Sequence, residues 1–301
     1  MDQEVNDGMI SILDYLQQLA LRFDEASLSY GHGTDNPWDE AGYLVFCTLG
    51  LDFDADPSVL ERALTAGELK LLEDRVRERI EEQVPVAYLV GEAWFAGHRF
   101  KIDRRALIPR SPLAELIEAQ FEPLLAAPPT TILDLCTGSG CIGIACALAF
   151  PGARVVLSDL STEALALAGE NIRLHGLEDR VSLHASDLFD SLSGSYDLIV
   201  TNPPYVSAAE VSQLPREYRH EPQLGLLSQR DGLDIPLRIL AGAPDHLAPQ
   251  GTLVMEVGFS WEPLQALLPD VPFLWLEFER GGEGVLAMDR ATLLKYRHRF
   301  I

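Results

Sequence analysis

From about residue 9 to residue 83, apolar positions recur at intervals of three and four. Ile10, Leu13, Leu16, Leu19 and Ala20 form one series, and Leu60, Leu64, Leu71, Leu72, Val76 and Ile80 another. That period marks amphipathic helices, so the pattern predicts a small helical domain over residues 1–84. Between the two series, residues 30–37 read Tyr-Gly-His-Gly-Thr-Asp-Asn-Pro, a turn-rich loop in which Asp35 or Asn36 is placed to cap the helix that Pro37 opens. His32 in this loop reads first as a structural residue and only second as a functional one. Pro85 ends the helical region, and residues 93–102 alternate around a glycine in the manner of a short hairpin. With a helix expected at 113–125, they make a connector over residues 85–130, closed by the punctuating run Ala-Ala-Pro-Pro-Thr-Thr.

Over residues 131–301 the period changes. Apolar runs of strand length at 132–136, 155–158, 181–184, 198–201, 252–257, 273–279 and 285–288 are separated by helical patterns beginning at 141 and at 162–175, 235–247 and 261–268. Strands alternating with helices predict an α/β fold with a largely parallel sheet covered on both faces. Gly281-Gly-Glu-Gly284 is too short for a parallel crossover, so the last two strands are expected to pair antiparallel.

At 301 residues the chain suits a main domain and a smaller one. The acidic start (Asp2, Glu4, Asp7) is unlike a secretory leader, and the longest apolar run, residues 141–150, is about half the ~20 residues a membrane span needs. A cytoplasmic chain with no membrane partner is expected. Cys47, Cys136, Cys141 and Cys146 are too few for a disulfide framework and wrongly spaced for a metal, and read as packed thiols in a reducing compartment. The formal net charge of −23 changes the picture most: it argues against naked nucleic acid as a partner and is compatible equally with a basic protein partner and with acidity that serves only solubility or a salty cytoplasm.

Residues 133–143, Leu-Asp-Leu-Cys-Thr-Gly-Ser-Gly-Cys-Ile-Gly, run from a strand through a glycine-rich turn into a helix. Gly138 and Gly140 let a ligand approach the backbone closely, and Asp159, ending the next strand, can accept from both hydroxyls of a ribose. These features alone fit a dinucleotide as well as S-adenosylmethionine. Three additions select the sulfonium cofactor. Asp134, on the first strand, can steady the turn and face a cationic methionine end. Asp187, after the third strand, can accept from an adenine amino group, with Leu188 beside the ring. The fourth strand ends in Asn202, Pro203, Pro204 and Tyr205. Ligands of open sheets bind at the carboxyl ends of strands near the switch point, so these segments converge on one crevice.

The Asn-Pro-Pro-Tyr run suits methyl transfer to a planar nitrogen. The lone pair of an amide or aromatic amine is delocalised, so that nitrogen must lose planarity to attack. The side-chain oxygen of Asn202 and the backbone carbonyl of Pro203 can each accept one proton of an NH2 group, holding the lone pair toward the methyl donor. Pro203 and Pro204 stiffen the turn, and Tyr205 offers a stacking face. Positioning then carries the catalysis, and no strong base is required.

At these residues the chain resembles the seven-stranded, Rossmann-like class of S-adenosylmethionine-dependent methyltransferases, and within it the protein glutamine N-methyltransferases. Residues 85–89, Pro-Val-Ala-Tyr-Leu, with Gly91, Phe95 and Leu107-Ile-Pro-Arg110, resemble that family's hairpin connector, and the helical domain before them its substrate-recognition domain. One branch of the family acts on peptide-chain release factors and another on the ribosomal protein L-three of the large subunit. Ser111-Pro-Leu-Ala-Glu115 departs from the Pro-Asp-Thr-Glu of the release-factor branch, whereas residues 31–38 and 217–222 are similar to the ribosomal-protein branch. The resemblance implies S-adenosylmethionine held near Asp134, Gly138, Gly140, Asp159, Asp187 and Leu188, and an amide clamp on Asn202, Pro203, Pro204 and Tyr205. It implies a glutamine of a basic ribosomal protein as substrate. Leu188 departs from the tryptophan of some release-factor enzymes, which counts against an aromatic stack on the adenine. A release-factor methyltransferase is the alternative, and a DNA adenine methyltransferase a more distant one.

Overall fold

The computed structural model describes residues 10–301 and divides them into two compact units. One holds the described residues up to Glu92 together with residues 215–220; the other holds 93–214 and 221–301. Asp2, Glu4, Asp7 and Met9 lie outside the described residues.

In the helical unit, Ile12–Glu25, Pro37–Leu49 and Ala66–Arg77 are α-helices; the last runs into the π turn Glu78–Glu82, and the short helix Val86–Val90 follows. Their starts are set locally. Ser11, Asn36 and Thr65 accept from the backbone N–H groups of Asp14, Asp39 and Glu68, and Thr65 with Glu68 forms a reciprocal capping box. Asn36 is therefore the cap before Pro37. Ile12, Leu16, Leu19, Phe23, Leu44, Leu72 and Val76 are buried, as the period of three and four requires.

A charged cluster is also buried in this unit. Arg79, 1% exposed, donates to Glu40 at 2.7 Å, to Glu217 at 3.2 Å and to the Ser29 carbonyl at 3.1 Å. Glu217 accepts in addition from the Ser29 N–H at 2.8 Å. Residues 215–220 are thus held to the helices by a buried guanidinium. His32 is buried against Tyr218, ring centroids 4.5 Å apart.

β1 (Glu92–Phe95) and β2 (His98–Lys101), which belong to the second unit from Ala93 on, form the expected hairpin, turned at Ala96 and Gly97. The main sheet has seven strands: β3 (Thr131–Leu135), β4 (Arg154–Asp159), β5 (Val181–Ala185), β6 (Tyr196–Thr201), β7 (Leu247–Glu256), β8 (Leu274–Trp275) and β9 (Val285–Asp289). Their order is β5-β4-β3-β6-β7-β9-β8. β9 runs antiparallel to β7 and β8, and every other pair is parallel. The chain continues from β3 to β4 on one side and returns to β6 on the other, which puts the switch point between β3 and β6. Successive side chains of β3 enter opposite apolar clusters: Ile132 packs with Ile144, Leu157 and Leu198, while Leu133 and Leu135 pack with Ile199, Leu240 and Leu253. Helices cover both faces, as the alternating pattern demands.

Two expected elements are shortened. The helix anticipated at 113–125 ends as Leu113–Glu118, because Gln120 and Phe121 take φ of 52° and 58° and Pro123 has no N–H to continue it. The strand anticipated at 273–279 pairs only over Leu274–Trp275. The helix Arg290–Tyr296, capped by the Asp289 side chain, has no counterpart in the sequence reading. Among the described residues no helix is long and apolar enough to cross a membrane.

Candidate active site

The turn after β3 is left-handed at three positions, with φ of 59° at Cys136, 56° at Gly138 and 85° at Gly140. The two glycines adopt this conformation without the steric penalty of a Cβ. Thr137 N–H donates to the Ser158 carbonyl of β4 at 3.0 Å, and Gly140 N–H to the Thr137 carbonyl at 2.9 Å. Buried Asn171 donates to the carbonyls of Ser139 at 2.9 Å and Lys101 at 3.0 Å, and accepts from Lys101 N–H at 2.8 Å. Asn171 ties the turn to the hairpin. Sequence reasoning passed it over, and the signal was a polar residue among the apolar positions of the helix Thr162–Leu174.

Asp134 is fully buried, and its Oδ2 accepts from the Thr137 hydroxyl and, at 2.8 Å, from the N–H of Gly143 in the first turn of the helix Cys141–Ala149. A carboxylate there complements the positive end of the helix. Gly143 has to be a glycine, since a Cβ would lie 2.8 Å from that of Asp134 and 2.2 Å from the Leu157 side chain. The other oxygen, Oδ1, has no hydrogen-bond partner among the described residues. Burial pushes this carboxyl up to about 7, outweighing the two donors. Asp159, ending β4, accepts from Gly138 N–H at 2.8 Å and from Ser161 N–H at 2.8 Å, and burial raises it too. Asp134, Gly138, Gly140 and Asp159 therefore belong to one hydrogen-bonded turn.

Asp187 stands outside that bonded group: its half-exposed carboxylate accepts from Arg238 at 2.9 Å. Leu188 takes a φ of 47° and is buried in the same apolar cluster as Leu133, Leu135 and Leu192.

β6 is locked to β3 at its end, where the Thr201 hydroxyl donates to the Leu135 carbonyl at 2.7 Å. Asn202, Pro203, Pro204 and Tyr205 follow immediately. Tyr205 is fixed at three points. Its hydroxyl donates to Glu256 Oε1 at 2.8 Å, its carbonyl accepts from the Ser260 hydroxyl at 2.8 Å, and its ring lies where a Cβ on Gly258 would come within 2.6 Å of it. Glu256 ends β7 and is 4% exposed. It accepts from the Ser111 hydroxyl at 2.5 Å, and Asn202 is its neighbour at the paired ends of β6 and β7. Burial raises its carboxyl against the pull of these donors and of Arg110. Arg110 in turn donates twice to Glu221, at 2.6 Å and 2.6 Å, and Glu221 accepts from Ile108 N–H at 3.0 Å.

Glu256 and Ser111 were not expected as site residues. A single acid inside the apolar run Leu253-Val-Met-Glu-Val257 was the available signal. Tyr205, expected to offer a stacking face, also bonds a buried carboxylate through its hydroxyl.

Residues 117–215 match the family described as "Methyltransferase small domain". A protein named ribosomal protein uL3 glutamine methyltransferase, from Xanthomonas campestris pv. campestris, is 49% identical over 296 residues, covering 97% of this chain and 96% of its own. One of the same name from Francisella tularensis subsp. tularensis is 42% identical over 301 residues, covering 99% of this chain and 96% of its own. Among solved structures, a methyltransferase from Pyrococcus furiosus is 15% identical, covers 75% of this chain and 99% of that one, and has a TM-score of 0.47. At that distance the likeness carries no argument. The seven-stranded sheet, its glycine-rich turn and the family match define a methyltransferase. Identity over nearly the whole length narrows the class: the chain belongs to the ribosomal protein uL3 glutamine methyltransferase family.

Proposed function

We propose that this protein transfers a methyl group from S-adenosylmethionine to the side-chain amide nitrogen of a glutamine in the large-subunit ribosomal protein uL3. The observation that carries the chemistry is the placement of Asn202 at the carboxyl end of β6, directly after the Thr201 that bonds the end of β3 and beside that strand's glycine-rich turn. Asn202 Oδ1 and the Pro203 carbonyl take the two protons of the substrate amide, and Pro204 and Tyr205 keep the turn rigid. Gly138 and Gly140 open the backbone to the cofactor, Asp159 takes its ribose, Asp134 its cationic end, and Asp187 and Leu188 the adenine side. The unsatisfied Oδ1 of Asp134 is the feature that fits a cation. S-adenosylmethionine, when bound, supplies an electrophilic methyl group.

The substrate is named in both relatives, and neither a release factor nor DNA is favoured by any feature of the site. Ribosomal proteins are basic and made in the cytoplasm, where a chain of charge −23 attracts them and repels naked nucleic acid. We assign substrate selection to the helical unit, which also holds residues 215–220 of the segment that follows Tyr205. Tritium transfer to purified uL3, release factor and duplex DNA tests the reading. Labelling of uL3 at a glutamine is expected, and labelling of the release factor instead would overturn the substrate. Electrostatic steering further requires that KM for uL3 rise severalfold between about 0.05 M and about 0.5 M salt, while KM for the cofactor barely moves. A salt-independent KM for uL3 would remove the steering role.

The raised Asp134 sets a pH dependence. A cation brought beside it favours the ionised form, so below about pH 7 binding must expel a proton and is weakened accordingly. Cofactor affinity is expected to rise with pH up to about 7 and then level off, and Asp134→Asn to lose that rise. Calorimetry in buffers of different ionisation enthalpy reads affinity and proton release together. A wild-type affinity with no proton release would take Asp134 away from the cationic end.

A further inference from the structure

We infer that Glu256 is a positioning residue whose carboxylate decides which end of the Asn202 carboxamide faces the substrate. The inference rests on the reading that Asn202 holds the substrate amide. The sheet sets the placement: Thr201 is paired with Met255 across β6 and β7, so the residue after each lies at the same strand ends. Glu256 is buried there, accepts from the Ser111 and Tyr205 hydroxyls, and stands beside the Asn202 side chain, which favours its charged form.

An ionised carboxylate can only accept. Of the two ends of a carboxamide only the NH2 can donate, so a carboxylate beside it favours the orientation with Asn202 Nδ2 facing inward. Oδ1 is then left pointing away from Glu256, as an acceptor for one proton of the incoming NH2 group. The two ends of an asparagine are nearly the same in shape, and a neutral environment would tolerate either. The flipped form would set donor against donor and could not hold the substrate. The charge of Glu256 excludes it.

The charged and titratable groups around Glu256 are Arg110, itself paired with Glu221, and the Tyr205 hydroxyl. Arg110 favours the ionised carboxylate and burial opposes it. Protonated Glu256 could donate to Asn202 Oδ1 and admit the flipped form. Turnover should therefore fall as pH drops through a carboxyl raised above its ordinary range.

Glu256→Gln keeps the shape and removes the acceptor-only character. In the full chain with purified uL3 it is expected to lower kcat about tenfold or more while leaving cofactor affinity within about twofold. It should also erase the acid limb of the kcat profile, which Glu256→Asp keeps. In the Asn202→Ala background the same change should lower kcat by less than about twofold, since the residue it acts through is gone. A wild-type kcat for Glu256→Gln, or losses that multiply in the double variant, would overturn the inference. So would a kcat profile of the wild type with no acid limb, which needs no variant to fold. Wild-type methylation of a uL3 glutamine amide is read separately; its absence would overturn the proposed function and this inference with it.

Discussion

Replacing Asn202 by Ala is expected to leave S-adenosylmethionine affinity within about twofold of wild type and to lower kcat by about a hundredfold or more. The glycine-rich turn is held by Asp134, Asp159, Asn171 and the Ser158 carbonyl, none of which depends on Asn202. The turn proposed to hold the cofactor is therefore expected to stay intact. What is lost is the acceptor proposed to draw one amide proton out of the plane, an interaction that gains strength only as the nitrogen pyramidalises. A contact made in the transition state and weakly before it appears in kcat and not in binding. Calorimetry with S-adenosylmethionine and single-turnover methyl transfer to uL3 separate the two. A parallel loss in cofactor affinity would mean that Asn202 supports the turn after β3, and an unchanged kcat would remove it from the clamp.

The parts of this site that were legible in the sequence are those carried by local chemistry. Gly138 and Gly140 mark their turn because few other residues tolerate a positive φ, and Asn202 to Tyr205 follow an apolar strand with two prolines that admit little freedom. The alternation of strands and helices, and the short connection before β9, were enough for the fold class and the antiparallel edge. The parts that were not legible depend on partners distant in sequence. Glu256 reads as a lone acid ending an apolar strand until Ser111 and Tyr205 are brought against it. Arg79 follows Arg75 and Arg77 in sequence and looks solvated, yet it is buried because Glu40 and Glu217, distant on either side of it in the chain, come to it. Period alone also overran the helix at Leu113–Glu118, because Gln120 and Phe121 are apolar or neutral enough to continue a pattern that their backbone breaks.

Removing the Arg79 guanidinium is expected to be the most destabilising single change in the helical unit. Breaking a buried ion pair by deleting one partner typically costs about 3–5 kcal/mol, because the remaining charge is left desolvated. Arg79→Ala leaves two carboxylates in that condition, Glu40 and Glu217, and also strips the Ser29 carbonyl of a donor. Glu217→Gln is different. It retains an oxygen that can accept from Ser29 N–H and from Arg79, which keeps its shorter bond to Glu40 at 2.7 Å, so a loss of about 1 kcal/mol is expected. A chain of two units need not unfold in one step, so peptide-resolved hydrogen exchange is the proper measurement. In Arg79→Ala, protection should drop across residues 28–30, 37–49 and 215–220 and persist in β3 and β6. Residues 215–220 continue the chain from the clamp, so KM for uL3 should rise in the same variant while cofactor affinity holds. Full protection at 215–220 in Arg79→Ala would show that the segment is held by something other than this guanidinium. Equal losses in Arg79→Ala and Glu217→Gln would show that the pair, and not the stranded charge, sets the cost.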